Sequence, residues 1–472
     1  MLFIYTKDLE AYGFLQTLIA FSLLLSPFAS LGMNGVAVKY FPNFGKSPED
    51  RPEFLGFLVA AVSAGSALFV GVYFLLGIPA FNYLDNPSNN FNLYVEHALA
   101  ICALSVIQVY ISLFENYLVN FYQLTAQTVT TLLLPKVGLP IIILVSINNE
   151  WGYGQLELAL ITLQLLVLIC LIGYLFYLGE TKFRTGFKKI TGEDNFKELL
   201  EYAAFGILGA VGTTIALSID TVSLASYVTP EEVGVYRILV FAALVINIPF
   251  RALVKISIPS LSKFFADENY QEVEILYRRT SRILSFLGIA LFSGIFISLS
   301  DIFLLTGNAT AFAGGLVTFV LLGIGRIIDV ANSINGQIIS LSDIFKYHLG
   351  LVLFLAALNI ILNWLFIARL DMGMSGAALA TCIALAVYNL LKSLLVYRRF
   401  RMQPFQFSQM LFLVFGGGVI LLWSHIPLGF SPILNILVRS IVTGSLFLSF
   451  VMLSPYLPDL RETVNKTIKQ FF

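Results

Sequence analysis

Charge is scarce in this sequence of 472 residues: Asp, Glu, Lys and Arg together make up 12% of it, about half the share usual in soluble domains. With 58% hydrophobic residues and a mean hydropathy of +0.86, the chain is no soluble globule and reads as a polytopic membrane protein. Cysteine is nearly absent. Cys102, Cys170 and Cys382 all fall inside apolar runs, which argues against a disulfide framework or a thiolate metal site. His97, His348 and His425 lie near span ends without metal-ligand spacing and read as interfacial residues. There is no P-loop, nucleophile elbow or paired-cysteine motif, so no cofactor, enzymatic reaction or nucleic-acid partner is expected. The opening stretch MLFIYTKDLEAYG lacks the basic region and apolar run of a signal peptide, and its apolar part is too short to cross a bilayer.

What is present is a succession of apolar runs. They cover about 12–41, 54–78, 94–118, 126–147, 156–178, 200–228, 234–258, 283–305, 313–341, 349–368, 376–397, 408–425 and 433–453, thirteen expected crossings. Lys and Arg fall in alternate breaks: 18 on one side, from Lys46 and Arg51 to Lys466 and Lys469, against Lys7 and Arg369 on the other. That asymmetry puts the C-terminus in the cytoplasm. Ser262 to Arg282 mixes Phe264, Phe265, Val273, Leu276 and Tyr277 with charges and is expected as an amphipathic helix on the cytoplasmic surface. Asn308-Ala309-Thr310 has the form of a glycosylation acceptor, in a loop too short to give it weight.

Against this apolar background, the stretch from Gly234 to Pro259 carries Arg237, Arg251 and Lys255. At about 100° per residue, positions 14 and 18 after Arg237 return to within roughly 40° of it. The three cations then share one helix face over roughly 27 Å, close to the hydrocarbon thickness. A cation against lipid costs a few kcal/mol, so this face is expected to look into a wet cavity on the path of an anionic substrate. Arg donates two parallel hydrogen bonds to phosphate and Lys adds a point charge. The plainer reading is that Arg237 and Lys255 snorkel to the nearest surfaces. Pro249 is expected to kink the helix beside them.

The other intramembrane charges carry paired readings as well. Arg326 and Asp329, three apart, are expected to form an ion pair within one helix, with a gate or substrate contact as the other role for Arg326. Glu115 and Lys136, on successive spans, are expected to form a cross-helix salt bridge. Lys39 is either an entry-site contact or a snorkelling anchor. Asp220 follows the small residues Gly206, Gly209 and Gly212 and is a candidate for a coupling proton or sodium ion, or a partner for a cation such as Arg251. Gly416-Gly417-Gly418 suggests no role.

The sequence also repeats. Glu10-Ala11-Tyr12-Gly13 matches Glu231-Glu232-Val233-Gly234, Ser26-Pro27-Phe28 matches Ile248-Pro249-Phe250, and the turn Trp151-Gly152-Tyr153-Gly154 matches Met372 to Gly376, at offsets of 221 to 222 residues. The expected unit is six spans twice, plus two, with the first span of the first copy missing. The corresponding organisation is an N-terminal bundle over 1–192, a second bundle over 193–400, and two further helices with a tail over 401–472.

This order resembles the polysaccharide-biosynthesis flippases, the O-antigen and lipid-linked oligosaccharide exporters of the multidrug/oligosaccharidyl-lipid/polysaccharide (MOP) superfamily. The residues that carry the likeness are AYGFLQTLIAFSLLLSPFASLGMNGVAVKYFPNF, with Lys39, Phe41 and Pro42 at its exit, and Asn363 followed by GMSGAALAT from Gly373. The resemblance implies an all-α fold of two six-helix bundles, opening alternately to the two sides of a bacterial cytoplasmic (inner) membrane. It implies a polyprenyl-pyrophosphate-linked oligosaccharide, such as an O-antigen or lipopolysaccharide unit, as substrate, with membrane lipid, a coupling ion and polysaccharide-assembly proteins as partners. A repeat-built membrane protein with a buried cationic face suits alternating access around an anion site on physical grounds as well. Three rivals stand. A multidrug cation antiporter of the same superfamily calls for acidic cavity residues, a membrane glycan polymerase or ligase calls for a substantial outer loop, and a non-transporting scaffold gains from the missing first helix.

Overall fold

The computed structural model describes residues 7–45, 47–79, 92–121, 128–180, 190, 192–305, 312, 314–426, 428–455, 457–462 and 465. Lys46, Lys182, Arg184, Lys188, Lys189, Asn308-Ala309-Thr310, Lys466 and Lys469 lie outside the described residues. Regular structure within them is helical: α1 (Leu9–Ala29), α2 (Met33–Lys39), α3 (Arg51–Val72), α4 (Ala98–Val119), α5 (Leu134–Asn149), α6 (Tyr153–Tyr177), α7 (Glu193–Ala225), α8 (Pro230–Leu244), α9 (Ile248–Ala266) and α10 (Tyr270–Leu305) come first. They are followed by α11 (Gly315–Ala331), α12 (Asn335–Leu341), α13 (Lys346–Asn363), α14 (Gly373–Phe400), α15 (Phe407–Ser424) and α16 (Pro432–Leu453). The fold is all-α and polytopic. Eleven helices among the described residues are long and apolar enough to cross a membrane, and the pair α11 and α12, bent by 46°, makes twelve if it is one span. The thirteenth expected crossing is α15, whose apolar stretch Phe407–Trp423 is shorter than the rest.

Two sequence expectations change in detail. The first expected span is two helices, because Leu31 and Gly32 adopt φ of 48° and 73° between α1 and α2. A Cβ on Gly32 would lie 2.1 Å from the Ala203 carbonyl oxygen, so the elbow presses backbone against α7 where only glycine fits. The expected surface helix over Ser262 to Arg282 is instead the end of α9, a turn at Asp267 to Asn269 with Glu268 at φ 52°, and the start of α10. Its charges sit there because α10, at 36 residues and about 54 Å, outruns the hydrocarbon thickness.

The chain forms two compact units, Met1–Gly234 with Asn359–Arg369, and Val235–Leu358 with Leu370–Phe472. The division falls inside α8. In the first unit α1 is the central element, packed by α3, α4, α6 and α7. Its crossing with α8 is so close that a Cβ on Gly13 would fall 1.7 Å from the Pro230 carbonyl oxygen, and one on Gly234 2.2 Å from that of Leu9. Leu9 and Pro230, like Gly13 and Gly234, are separated by the repeat offset of 221 residues. Each glycine therefore meets the counterpart of the residue that meets its own counterpart, as an isologous contact does. The close contact is thus reciprocal between residues one offset of 221 apart.

In the second unit α10 takes the central place, contacting α9, α11, α15 and α16. The two C-terminal helices belong to its core: Phe286, Phe412, Phe447 and Phe450 pack together. Gly416 explains the start of the glycine triplet, since a Cβ there would lie 2.5 Å from Ile289 Cγ2 on α10. Arg439 Nη1 on α16 donates to Asp301 Oδ2 on α10 at 2.6 Å, and Asn435 Nδ2 donates to Oδ1 at 3.0 Å. Burial of that pair makes the docking of α16 specific, because either partner left alone would be an uncompensated charge.

Candidate functional site

The cationic stretch is a helix in two parts. The 3-10 turn Val245–Asn247 separates α8 from α9, and Pro249 stands in the first turn of α9, where its missing N–H costs nothing. The expected kink at Pro249 is therefore a break just before it. Three residues at about 120° each, instead of 100°, add roughly 60° of rotation. That leaves Arg237 and Arg251 within about 20° of each other and Lys255 about 60° away, still on one side. Arg237 is half-buried, whereas Arg251 and Lys255 are exposed. Neither Arg251 nor Lys255 forms an ion pair or hydrogen bond among the described residues.

The expected ion pair of Arg326 and Asp329 does not form. Both are half-buried on α11, but Asp329 turns to amides: Asn247 Nδ2 donates to its Oδ2 at 3.3 Å and Asn389 Nδ2 to its Oδ1 at 3.1 Å. The amides of Asn247 and Asn389 thus take one carboxylate oxygen each. Nor does Glu115 pair with Lys136. Glu115 Oε1 accepts from Thr131 Oγ1 at 3.2 Å, and Lys136, five residues on and about 140° round the helix, is exposed.

Lys39 is exposed, with Nζ 4.0 Å from the Tyr202 ring centroid and 5.1 Å from that of Tyr40, a cation–π seat between α2 and α7. Tyr40 Oη donates to Glu198 Oε1 at 3.2 Å. Burial, and then that carboxylate, push the Tyr40 phenol above its ordinary value. Asp220 is buried on α7, its Oδ1 accepting from the Thr221 backbone N–H at 2.8 Å.

Lys392, Asn389 and Asn247 form a buried polar cluster with Asp329 that the sequence reading passed over. Lys392 is 6% exposed, with Nζ 4.2 Å from the Tyr388 ring centroid. The spacing rule that picked out Arg326 and Asp329 also fits Asn389 and Lys392, three apart in an apolar span. A cavity of about 650 Å³ in the same unit is lined mainly by apolar groups, including Ile289, Ile327, Leu390, Phe407 and Leu413, and includes none of the cations.

The fold is an all-helical, polytopic one with basic groups in its spans. The structure is similar to that of the lipid II flippase MurJ in an inward closed conformation, at TM-score 0.68 and 16% identity over 96% of each chain. It is also similar to a multidrug resistance MATE family transporter in an inward-facing conformation, at TM-score 0.62 and 14% identity over 85% of this chain and 93% of that one. A third likeness, at TM-score 0.51 and 14% identity over 85% of this chain and 90% of the other, is to a MOP superfamily transporter from Pyrococcus furiosus noted for reverse polarity of its binding pocket. No curated protein matches the chain in sequence. The family model for polysaccharide biosynthesis proteins matches residues 6–265, more than half of the chain, and the chain belongs to that family.

Proposed function

We propose that this transporter is a flippase that carries a polyprenyl-pyrophosphate-linked oligosaccharide, an O-antigen or other polysaccharide repeat unit, across the bacterial cytoplasmic membrane. Its C-terminus faces the cytoplasm, and polysaccharide-assembly proteins deliver and receive the substrate. The observation that carries the reading is the pair Arg251 and Lys255. They sit one turn apart in a membrane-spanning helix, exposed and without a carboxylate partner among the described residues. Charges at that depth need a counter-ion, and a diphosphate supplies one for each. Arg237, Arg326 and Lys39 are further substrate contacts along the path, and Asp220 is the ligand for a coupling cation in the first unit. A cation-exporting antiporter would present acidic groups where α9 presents basic ones. Replacing Arg251 by Ala in the producing bacterium should abolish surface glycan while leaving the protein at its normal level in the membrane. Unchanged surface glycan in that strain would refute the assignment.

A further inference from the structure

Two cavities of the first unit share Trp151, in the turn between α5 and α6, as a wall. The smaller, about 210 Å³, is lined by Asp8, Glu10 and Tyr153 beside that indole. The larger, about 520 Å³, is a groove between α5 and α6. Gly138, Ile142 and Leu163 form its floor, and a Cβ on Gly138 would lie 2.4 Å from Leu163 Cδ1, so that glycine lets the two helices close together. Ile141, Leu158 and Leu166, all exposed, form its sides. Thr162 Oγ1 donates to the Leu158 carbonyl of its own helix at 2.8 Å, which leaves the groove apolar. From Gln155 to Leu166 the groove follows three turns of α6, roughly 16 Å and so about half of the hydrocarbon thickness. That is the depth of one acyl chain in one leaflet. Trp151 and Tyr153 stand at its end as aromatic residues do at the level of lipid headgroups.

Charge at the mouth decides the occupant. Asp8 Oδ1 accepts from the Ala11 backbone N–H at 2.9 Å, capping α1, and Glu10 Oε1 accepts from Tyr153 Oη. The second oxygen of each carboxylate takes no hydrogen bond among the described residues. Glu157 is taken up by His97 Nδ1 at 2.5 Å, and Lys7, exposed beside Asp8, forms no ion pair among the described residues. Carboxylates beside an indole face attract an ammonium ion. We propose that the two cavities form one binding site for phosphatidylethanolamine, with its ammonium held by Asp8, Glu10 and Trp151 and one acyl chain in the groove of α5 and α6. A primary ammonium offers three N–H donors to the two open carboxylate oxygens, and the trimethylammonium of phosphatidylcholine offers none. An anionic head is repelled at this mouth, a diphosphate included, so the site holds a resident lipid and not the cargo. It stands apart from the flippase reading.

The test places the full chain in phosphatidylcholine vesicles that contain either phosphatidylethanolamine or phosphatidylglycerol brominated on the acyl chains. The part of the tryptophan quenching that Trp151→Phe removes is followed against mole fraction. Phosphatidylethanolamine should reach half-quenching at about fivefold lower mole fraction than phosphatidylglycerol. Asp8→Asn combined with Glu10→Gln keeps the helix cap and an acceptor for Tyr153 while removing both charges, and should erase that preference. Thr162→Phe fills the groove from an exposed position and should weaken quenching by phosphatidylethanolamine about as much. Glycerophosphoethanolamine, the headgroup without chains, should leave the quenching unchanged at the lipid's own concentration. Equal quenching by the two lipids in the parent overturns the proposal, as does a preference that survives the loss of both charges. Quenching unchanged in Thr162→Phe, or displacement by the bare headgroup, overturns it as well. Should the double variant fail to fold, the parent's preference and Thr162→Phe decide. Glycan export plays no part in this readout, so a failed flippase reading and a failed lipid site give different results.

Discussion

Residues 26–44, the end of α1 with α2, stand one offset of 222 before α9, and the two stretches serve opposite ends. Of the 19 residues 26–44, nine are buried, whereas α9 buries only Ser257 and Leu261 of its 19. The charges divide in the same way. Offsets of 221 and 222 put Leu15 or Gln16 opposite Arg237, Ala29 or Ser30 opposite Arg251, and Met33 or Asn34 opposite Lys255. The first copy is neutral at every position where the second is cationic. A helix wrapped by neighbours has no room for an unpaired charge, while one that keeps most of its side chains accessible can present cations to a ligand. At the same offset, then, the earlier stretch is a packing element and the later one a charged surface.

The strongest way to break this comparison is at the crossing that both copies share. Gly13→Ala would set a methyl 1.7 Å from the Pro230 carbonyl oxygen, and backbone cannot yield as a side-chain tip does. The expected loss is about 3 kcal/mol of stability, read as a lowered unfolding midpoint in detergent. Gly154→Ala, where no atom lies within 4 Å of the added carbon, serves as the neutral control. Equal midpoints for the two variants would remove the claim that α1 and the start of α8 meet at a close backbone contact.

The smallest effect is expected at the surface of the second unit. Arg399 Nη2 lies 2.7 Å from Asp343 Oδ2, both groups being exposed. The Arg399 guanidinium, chiefly by hydrogen bonding, holds the Asp343 carboxyl below its ordinary value. A carboxyl depressed in the folded state contributes stability that is present at neutral pH and lost as pH falls through the folded value, here below about pH 4. Because exposed pairs are screened, Asp343→Asn should leave the unfolding midpoint unchanged at pH 7. A clear drop at pH 7 would show that this loop carries more of the fold than its exposure suggests.

The fold was legible from the sequence because hydrophobic runs, basic breaks and the repeat all depend on composition along the chain. The bilayer imposes that composition whatever the packing. Gly13 and Gly234 could be matched by offset, but their mutual contact could not, since nothing in a pattern states which helix crosses which. Arg237, Arg251 and Lys255 could be grouped from the sequence because helical spacing alone gathers them on one side. The sequence was misread at Asp329 and Glu115, where a nearby opposite charge looked sufficient and an amide or hydroxyl from another element proved the better-placed donor. Lys392 and Arg439 went unnoticed because each is a lone cation in an apolar run. Asp329, whose charge acts on Lys392, and Asp301, which pairs with Arg439, lie 63 and 138 residues earlier, and only tertiary packing brings them near.

If α9 is the surface that receives phosphate, its cations should matter to binding and not to folding. The purified protein in detergent can be titrated with a short-chain polyprenyl pyrophosphate, beside Arg251→Gln and Lys255→Gln. Hydrogen bonds to charged groups are worth about 1.5 to 3 kcal/mol, so each variant should bind about tenfold or more weakly while keeping the parent's unfolding midpoint. Affinity equal to the parent's in both variants would contradict the claim that Arg251 and Lys255 hold the substrate's phosphates.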